Sequence, residues 1–176
     1  MTPVIQPAPP LQPKPPRLSH VEMTEIVLPS HTNQLGNIFG GQLMAWIDIA
    51  GSIAAARHAK TVCVTASIDG LHFIEPVKLG QHVIIRASVN WTGRTSMEIG
   101  ARLEREDPHT GERSLVATAY MTFVAIDAAG TPQPVPGLIP ETPDEIRRVF
   151  EAELRRKSRL ELKSGLGRHK PAAPSQ

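Results

Sequence analysis

The chain of 176 residues is 40% hydrophobic and carries a net charge of +2: enough for one domain with a packed core, too short for two of full size. So small a charge leaves no electrostatic footprint for nucleic acid, and no apolar run approaches the ~18 residues of a membrane span. A single cysteine, Cys63, excludes an internal disulfide and fits a reducing, cytoplasmic setting; inside Val-Cys-Val it reads as strand filling rather than as a reactive thiol.

Seven of the 17 prolines fall within residues 1–16, so residues 1–18 are expected to form an extended, disordered arm. The compact domain then spans 19–127. Residues 20–28 partly alternate and stop at Pro29, which predicts a strand. The loop HTNQLGNIF leads through Gly40 and Gly41 into QLMAWIDIAGSIAAARHA. Leu43, Met44, Ile47, Ala50, Ala54 and Ala55 recur there at helical spacing, and Trp46, Ile49 and Ile53 make further faces apolar, so the helix is expected to be buried nearly all round. Four β-prone segments follow at 62–74, 82–91, 95–106 and 113–126, with short turn-like links that predict an antiparallel meander. Strand, long helix, four strands is an α+β order in which a sheet curls around one apolar helix.

Residues 128–176 read as a Pro-rich linker, an amphipathic helix and a basic tail. Thr142, Pro143 and Glu145 carry the start signal of that helix, and Ile146, Val149, Phe150 and Leu154 form the stripe expected to dock. From Pro143 to Lys170 nine Lys/Arg face five Asp/Glu, 9 − 5 = +4, which suits an anionic partner.

Asp48 is the first site candidate. A carboxylate on an apolar helix must find partners, shift its pKa or cost several kcal/mol; it is either functional or ion-paired with Lys or Arg at an aqueous or subunit edge. Upstream, Asn37 can place an amide near the helix start, where free N–H groups and a partial positive charge collect. Gly40 and Gly41 allow close approach to that backbone, as an oxyanion hole requires, although a glycine pair also serves tight packing or a turn. In TGRTSME, residues 92–98, Arg94, Thr95 and Ser96 either close an ordinary hairpin or present donors to phosphates and amides. RRKSRLELK, residues 155–163, is either a solvated helical face or a clamp for a phosphorylated ligand. His31, His58 and His72 lack metal-ligand spacing, so no metal is expected. The chain has no GxSxG, P-loop or GxGxxG motif.

GGQLMAWIDIAGSIAAARHA, VCVTASIDGLHF, TSMEI and RRKSRL, in that order, resemble the hotdog-fold acyl-CoA thioesterases, in the branch of the bacterial short-chain and animal cytosolic enzymes. The likeness runs from about residue 20 to 160. It implies hydrolysis of acyl-CoA to a free acid and coenzyme A, with no cofactor. It implies that Asp48 is general base or direct nucleophile, that Asn37 orients water or carbonyl, and that Gly40 and Gly41 supply the oxyanion hole. The pantetheine arm would run along Ala66, Ser67 and Ile68 and near Thr95, Ser96 and Met97, with the phosphates at Arg156 or Lys157. Hotdog domains of this kind pair edge to edge, which implies a homodimer with Asn37 of one chain beside Asp48 of the next, assembling further into a trimer of dimers. Two rivals use the same groove: an enoyl-CoA hydratase, whose Asp–His arrangement is missing here, and a noncatalytic acyl-CoA binder, against which Asp48 argues because a carboxylate repels a polyanion.

Overall fold

The computed structural model describes residues 11–167. Its elements are β1 (Val21–Ile26), α1 (Gly40–Ala59), β2 (Val62–Phe73), β3 (His82–Thr92), β4 (Ser96–Glu106), β5 (Arg113–Ile126) and α2 (Pro143–Gly167). The strands form one antiparallel sheet in the order β1-β3-β4-β5-β2. Strand alternation turns Val83, Ile85 and Val89 of β3, Met97, Ile99 and Leu103 of β4, and Ala119, Met121 and Phe123 of β5 toward Leu43, Ile47, Ala50 and Ala54 of α1. These make the core. Gly51 lies where the helix presses closest: a Cβ there would stand 2.8 Å from Met121 Cε and 2.9 Å from Phe123 Cε2. α1 ends at Lys60, left-handed at φ 59°, whose N–H returns to the Ala56 carbonyl.

Only β3, β4 and β5 form the expected meander. β2 crosses to the far edge of the sheet and pairs with β5, because the link from Ile74 to Gln81 is no hairpin turn. It is an extended crossing tied to other loops, with Ile38 N–H bonded to the Val77 carbonyl and Gly80 N–H to that of Val27.

α1 is not buried all round. The sheet covers one side, and Met44, Asp48, Ile49 and Ile53 lie on an exposed stripe beside edge strand β2, itself exposed at Val64 and Ile68.

The amino-terminal arm also differs from expectation over residues 11–18. Lys14 N–H bonds the Gly137 carbonyl and its Nζ the carbonyl of His58 at 2.8 Å. Pro16–Ser19 forms a 3₁₀ turn whose buried Ser19 hydroxyl accepts the Val89 N–H. Residues 1–10, the rest of the expected arm, and the tail after 167 lie outside the described residues.

The start of α2 matches its sequence signal. Glu145 N–H donates to Thr142 Oγ1, and Glu145 Oε2 accepts from Thr142 N–H at 3.0 Å. Its docking face does not. Ile146, Phe150 and Leu154 are at least half exposed, while Arg155 and Arg159, on the opposite side with buried Ala152, meet the outer face of the sheet. That outer face carries Glu98 and Asp69, so charge rather than oil holds the helix. Arg155 donates to both Glu98 carboxylate oxygens, at 3.1 and 2.7 Å, and lies 3.6 Å over the Tyr120 ring. Arg159 pairs with Asp69.

Candidate functional site

Asp48 stands two turns along α1 on its exposed stripe, among apolar side chains. Its Oδ1 accepts a hydrogen bond from Thr65 Oγ1 of β2 at 2.5 Å. No lysine or arginine of this chain pairs with it among the described residues. A hydroxyl donor fixes one carboxylate oxygen and leaves the other free to accept a proton.

The start of α1 is left open. Phe39 occupies the N-cap without a side-chain cap; Gln42 and Leu43 N–H turn back to the Phe39 carbonyl at 3.0 and 3.3 Å. Gly40 and Gly41 N–H make no backbone hydrogen bond among the described residues, so they are available to an anionic oxygen. The Phe73 ring of β2 covers Gly40, its tip 3.2 Å from where a Cβ would stand. At the 1.5 Å rise of a helix, Gly41 and Asp48 are about 10 Å apart.

The preceding loop is built on Asn33, which the sequence reading passed over. Asn33 Oδ1 accepts Leu35 N–H at 2.9 Å and Asn37 N–H at 3.3 Å, and Gly36 supplies the φ of 72° that the turn needs. With its oxygen thus committed, Asn33 retains its amide N–H groups as donors. Asn37 is fixed through its backbone, by a bridge to Lys78.

Ala66 and Ile68 are exposed on edge strand β2, with Ser67 partly so. Two bulges bracket them, one between Thr65 and Ser67 and one between Ile68 and Gly70. In the β3–β4 turn Arg94 is exposed and Thr95 and Ser96 are partly exposed, but Met97 has no exposed surface. Met97 belongs to the core, because it starts the alternation that points at α1; it is withdrawn as a ligand contact. On α2, Arg156 and Lys157 are exposed, and the Arg156 guanidinium stands 5.0 Å from the Trp91 ring. Their neighbours Arg155 and Arg159 are spent on Glu98 and Asp69. Burial pushes the Cys63 thiol up to about 11, as befits a strand filler.

A cleft of about 510 Å³ lies on the other side of the sheet, under the first turns of α2. Its arginines are already matched: Arg86 with Glu22 and Glu104, Arg102 with Glu104, Arg147 with Asp144 and Glu151, and Arg148 with Asp144. It offers a polyanion no excess charge and contains none of the candidates above. Among the described residues no cluster of His, Cys, Asp or Glu could hold a metal ion, and no helix is long and apolar enough to cross a membrane.

Residues 35–112 match the thioesterase superfamily. The chain is 41% identical over 160 residues to the uncharacterized acyl-CoA thioester hydrolase YkhA of Bacillus subtilis, covering 87% of this chain and 93% of that one. Among solved structures it is similar to an apo-hexameric acyl-CoA thioesterase, with a TM-score of 0.84 and 38% identity over 87% of this chain and 98% of that chain. It is also similar to an acyl-CoA hydrolase of Staphylococcus aureus in complex with butyryl coenzyme A, coenzyme A and coenzyme A disulfide, with a TM-score of 0.82 and 34% identity over 88% and 94% of the two chains. That enzyme has also been solved with an Asp, a Thr and an Asn each replaced by Ala. An open helix start, a hydroxyl-held carboxylate and these likenesses converge: the chain belongs to the hotdog-fold acyl-CoA thioester hydrolases of the thioesterase superfamily.

Proposed function

We propose that this acyl-CoA thioester hydrolase works with Asp48 as general base and the Gly40 and Gly41 N–H groups as oxyanion hole. The observation that carries the reading is the Asp48 carboxylate, paired with no cation among the described residues and held by Thr65 on an exposed apolar stripe. Its second oxygen takes a proton from water as the water oxygen bonds to the thioester carbonyl carbon. The tetrahedral oxyanion accepts from the helix-start amides, about 3 Å being the useful distance. Collapse breaks the C–S bond, and the proton on Asp48 passes to the departing sulfur.

The helical separation of about 10 Å between Gly41 and Asp48 is too great for one carbonyl to touch both. The reading therefore takes the base from one chain and the donors from another, in a dimer paired along β2 and the open stripe of α1. Three such dimers give a homohexamer, the state of the hexameric relative. The side-chain amide is assigned to Asn33 rather than Asn37. In the Staphylococcus enzyme the replaced Asn precedes the replaced Asp by 15 positions and the Thr follows it by 17, the separations of Asn33, Asp48 and Thr65; Asn37 stands only 11 before Asp48. The pantetheine arm runs along Ala66, Ser67 and Ile68, past Arg94, Thr95 and Ser96, with the phosphates at Arg156 and Lys157. The chemistry needs no cofactor, and the partly buried lone thiol suits the cytoplasm.

Thiol release from acyl-CoA thioesters of graded chain length tests the activity and also separates it from hydration of an enoyl-CoA and from binding alone. Asp48→Asn should lower kcat by about 10²–10⁴-fold while coenzyme A still binds; an unchanged kcat removes Asp48 from the mechanism. Light scattering that finds an active monomer refutes the two-chain site.

A further inference from the structure

β2 leaves regular pairing with β5 twice within six residues. Thr65 opposes Phe123 and Ser67 opposes Thr122, then Ile68 opposes Met121 and Gly70 opposes Tyr120. Ala66 and Asp69 are thus the extra residues of two bulges. A bulge loses ladder bonds and bends its strand, and a shift of one residue sends side chains to the opposite face. Such a segment keeps one conformation only if something holds it.

Asp69 is that holder. Its side chain is 7% exposed. Oδ1 accepts from Ser67 Oγ at 2.9 Å, inside the bulged segment, and Oδ2 accepts from Thr122 Oγ1 of β5 at 3.1 Å. The third donor is the Arg159 guanidinium of α2. One buried carboxylate therefore fastens β2 to itself, to its neighbour strand and to the carboxy-terminal helix. Asp69 does not touch Asp48, yet Thr65, which does, stands next to the first bulge.

We propose that Asp69, held by Arg159, is a positioning residue for thioester hydrolysis: it fixes the doubly bulged Ala66–Ile68 segment that guides the pantetheine arm toward Asp48. This rests on the site assigned above and deepens it. Arg159 lies one turn or less from Arg156 and Lys157, so the helix that takes the phosphates is the helix that locks the strand. Substrate recognition at the nucleotide end and alignment at the thioester end then share one mechanical link.

The test compares two substrates in the full-length enzyme, an acyl-CoA and the same acyl group on pantetheine, which lacks the nucleotide. Arg159→Gln and Asp69→Asn should lower kcat/KM by about 10–100-fold on both, as expected of a misplacement near 1 Å, and Arg159→Lys should recover most of the loss. Arg156→Glu with Lys157→Glu should lower kcat/KM on acyl-CoA alone. Arg159→Gln with wild-type kcat/KM on acyl-pantetheine, measured well below its melting temperature, overturns the proposal even if that temperature falls; should Asp69→Asn fail to fold, Arg159→Gln decides. Asp48→Asn run in parallel keeps the readings apart, since its retained activity would remove the proposed base without touching the Arg159 result.

Discussion

Replacing Glu98 probes how α2 is fastened. Glu98 is 3% exposed and receives two bonds from Arg155, at 3.1 and 2.7 Å, with a weaker third from Asn90 at 3.4 Å. Burial opposes the charge on Arg155, but the bonds and charge of Glu98 outweigh it and raise its pKa. Removing one member of a buried pair costs about 3–5 kcal/mol because the other charge is stranded. Arg155 keeps its seat over Tyr120, a distant contact to Glu151 at 4.0 Å and 23% exposure to water, so the low end applies, about 3 kcal/mol. For a domain of this size that is a fall in Tm of about 6–12 °C. The assay is a double-mutant cycle of Glu98→Met and Arg155→Met by thermal and urea denaturation. The double variant should recover most of the loss, since an apolar pair of similar volume often replaces a buried ion pair without penalty. A loss under about 1 kcal/mol for Glu98→Met, the range of exposed pairs, would refute the claim that charge docks this helix.

Three further perturbations have defined signs. His58 is fully buried, with Nε2 donating to the Pro136 carbonyl at 2.9 Å and Nδ1 without a partner among the described residues. Burial, opposed by that carbonyl and aided by the charge of Lys14, lowers its pKa from 6.5. The unfolded chain therefore takes up the proton first, and stability that is constant above pH about 6.5 declines below it. His58→Gln should flatten that acid arm in urea melts, and an unchanged slope would exonerate the residue. Gly51→Ala should destabilise by about 1–3 kcal/mol through overpacking against Met121 and Phe123, less the gain in helix propensity; a higher Tm would show that the core yields there. Cys63, with a thiol near 11, should resist iodoacetamide at neutral pH until the protein is unfolded; rapid alkylation of native enzyme would contradict its placement.

Local signals reached the elements because each lies within a few residues of its cause. The Thr142–Glu145 capping box, the period-2 strands and the helical spacing of Leu43, Ile47, Ala50 and Ala54 all appear in the structure as the chain order suggests. Register across the sheet was not local. Nothing near Phe73 announces that β2 joins β5 rather than β3, because the choice is made by bonds from the Ile74–Gln81 crossing to Ile38 and Val27. The expectation that α1 is buried nearly all round failed for a related reason. Apolar residues on every face state that every face wants cover, not that one chain supplies it.

The same distinction governs the site. Asp48, Gly40 and Gly41 stood out because each violates its surroundings: a charge on oil, and glycines where a helix begins. Thr65 and Asn33 violate nothing, being an ordinary strand threonine and an ordinary loop asparagine, and only the fold brings Thr65 Oγ1 to the carboxylate. The basic run on α2 shows how a composition signal divides once phase is known. At 100° per residue, Arg155 and Arg159 fall on the face carrying buried Ala152, where Glu98 and Asp69 wait, while Lys157 is turned away from it and Arg156 sits at its margin over Trp91. Of the five cations in the run that reads as one phosphate clamp, Arg155 and Arg159 are thus anchors, and Arg156 and Lys157 remain the candidates. A charge reversal at Arg156 and Lys157 can weaken ligand binding without loosening the helix, whereas the same change at Arg155 or Arg159 would detach it from the sheet.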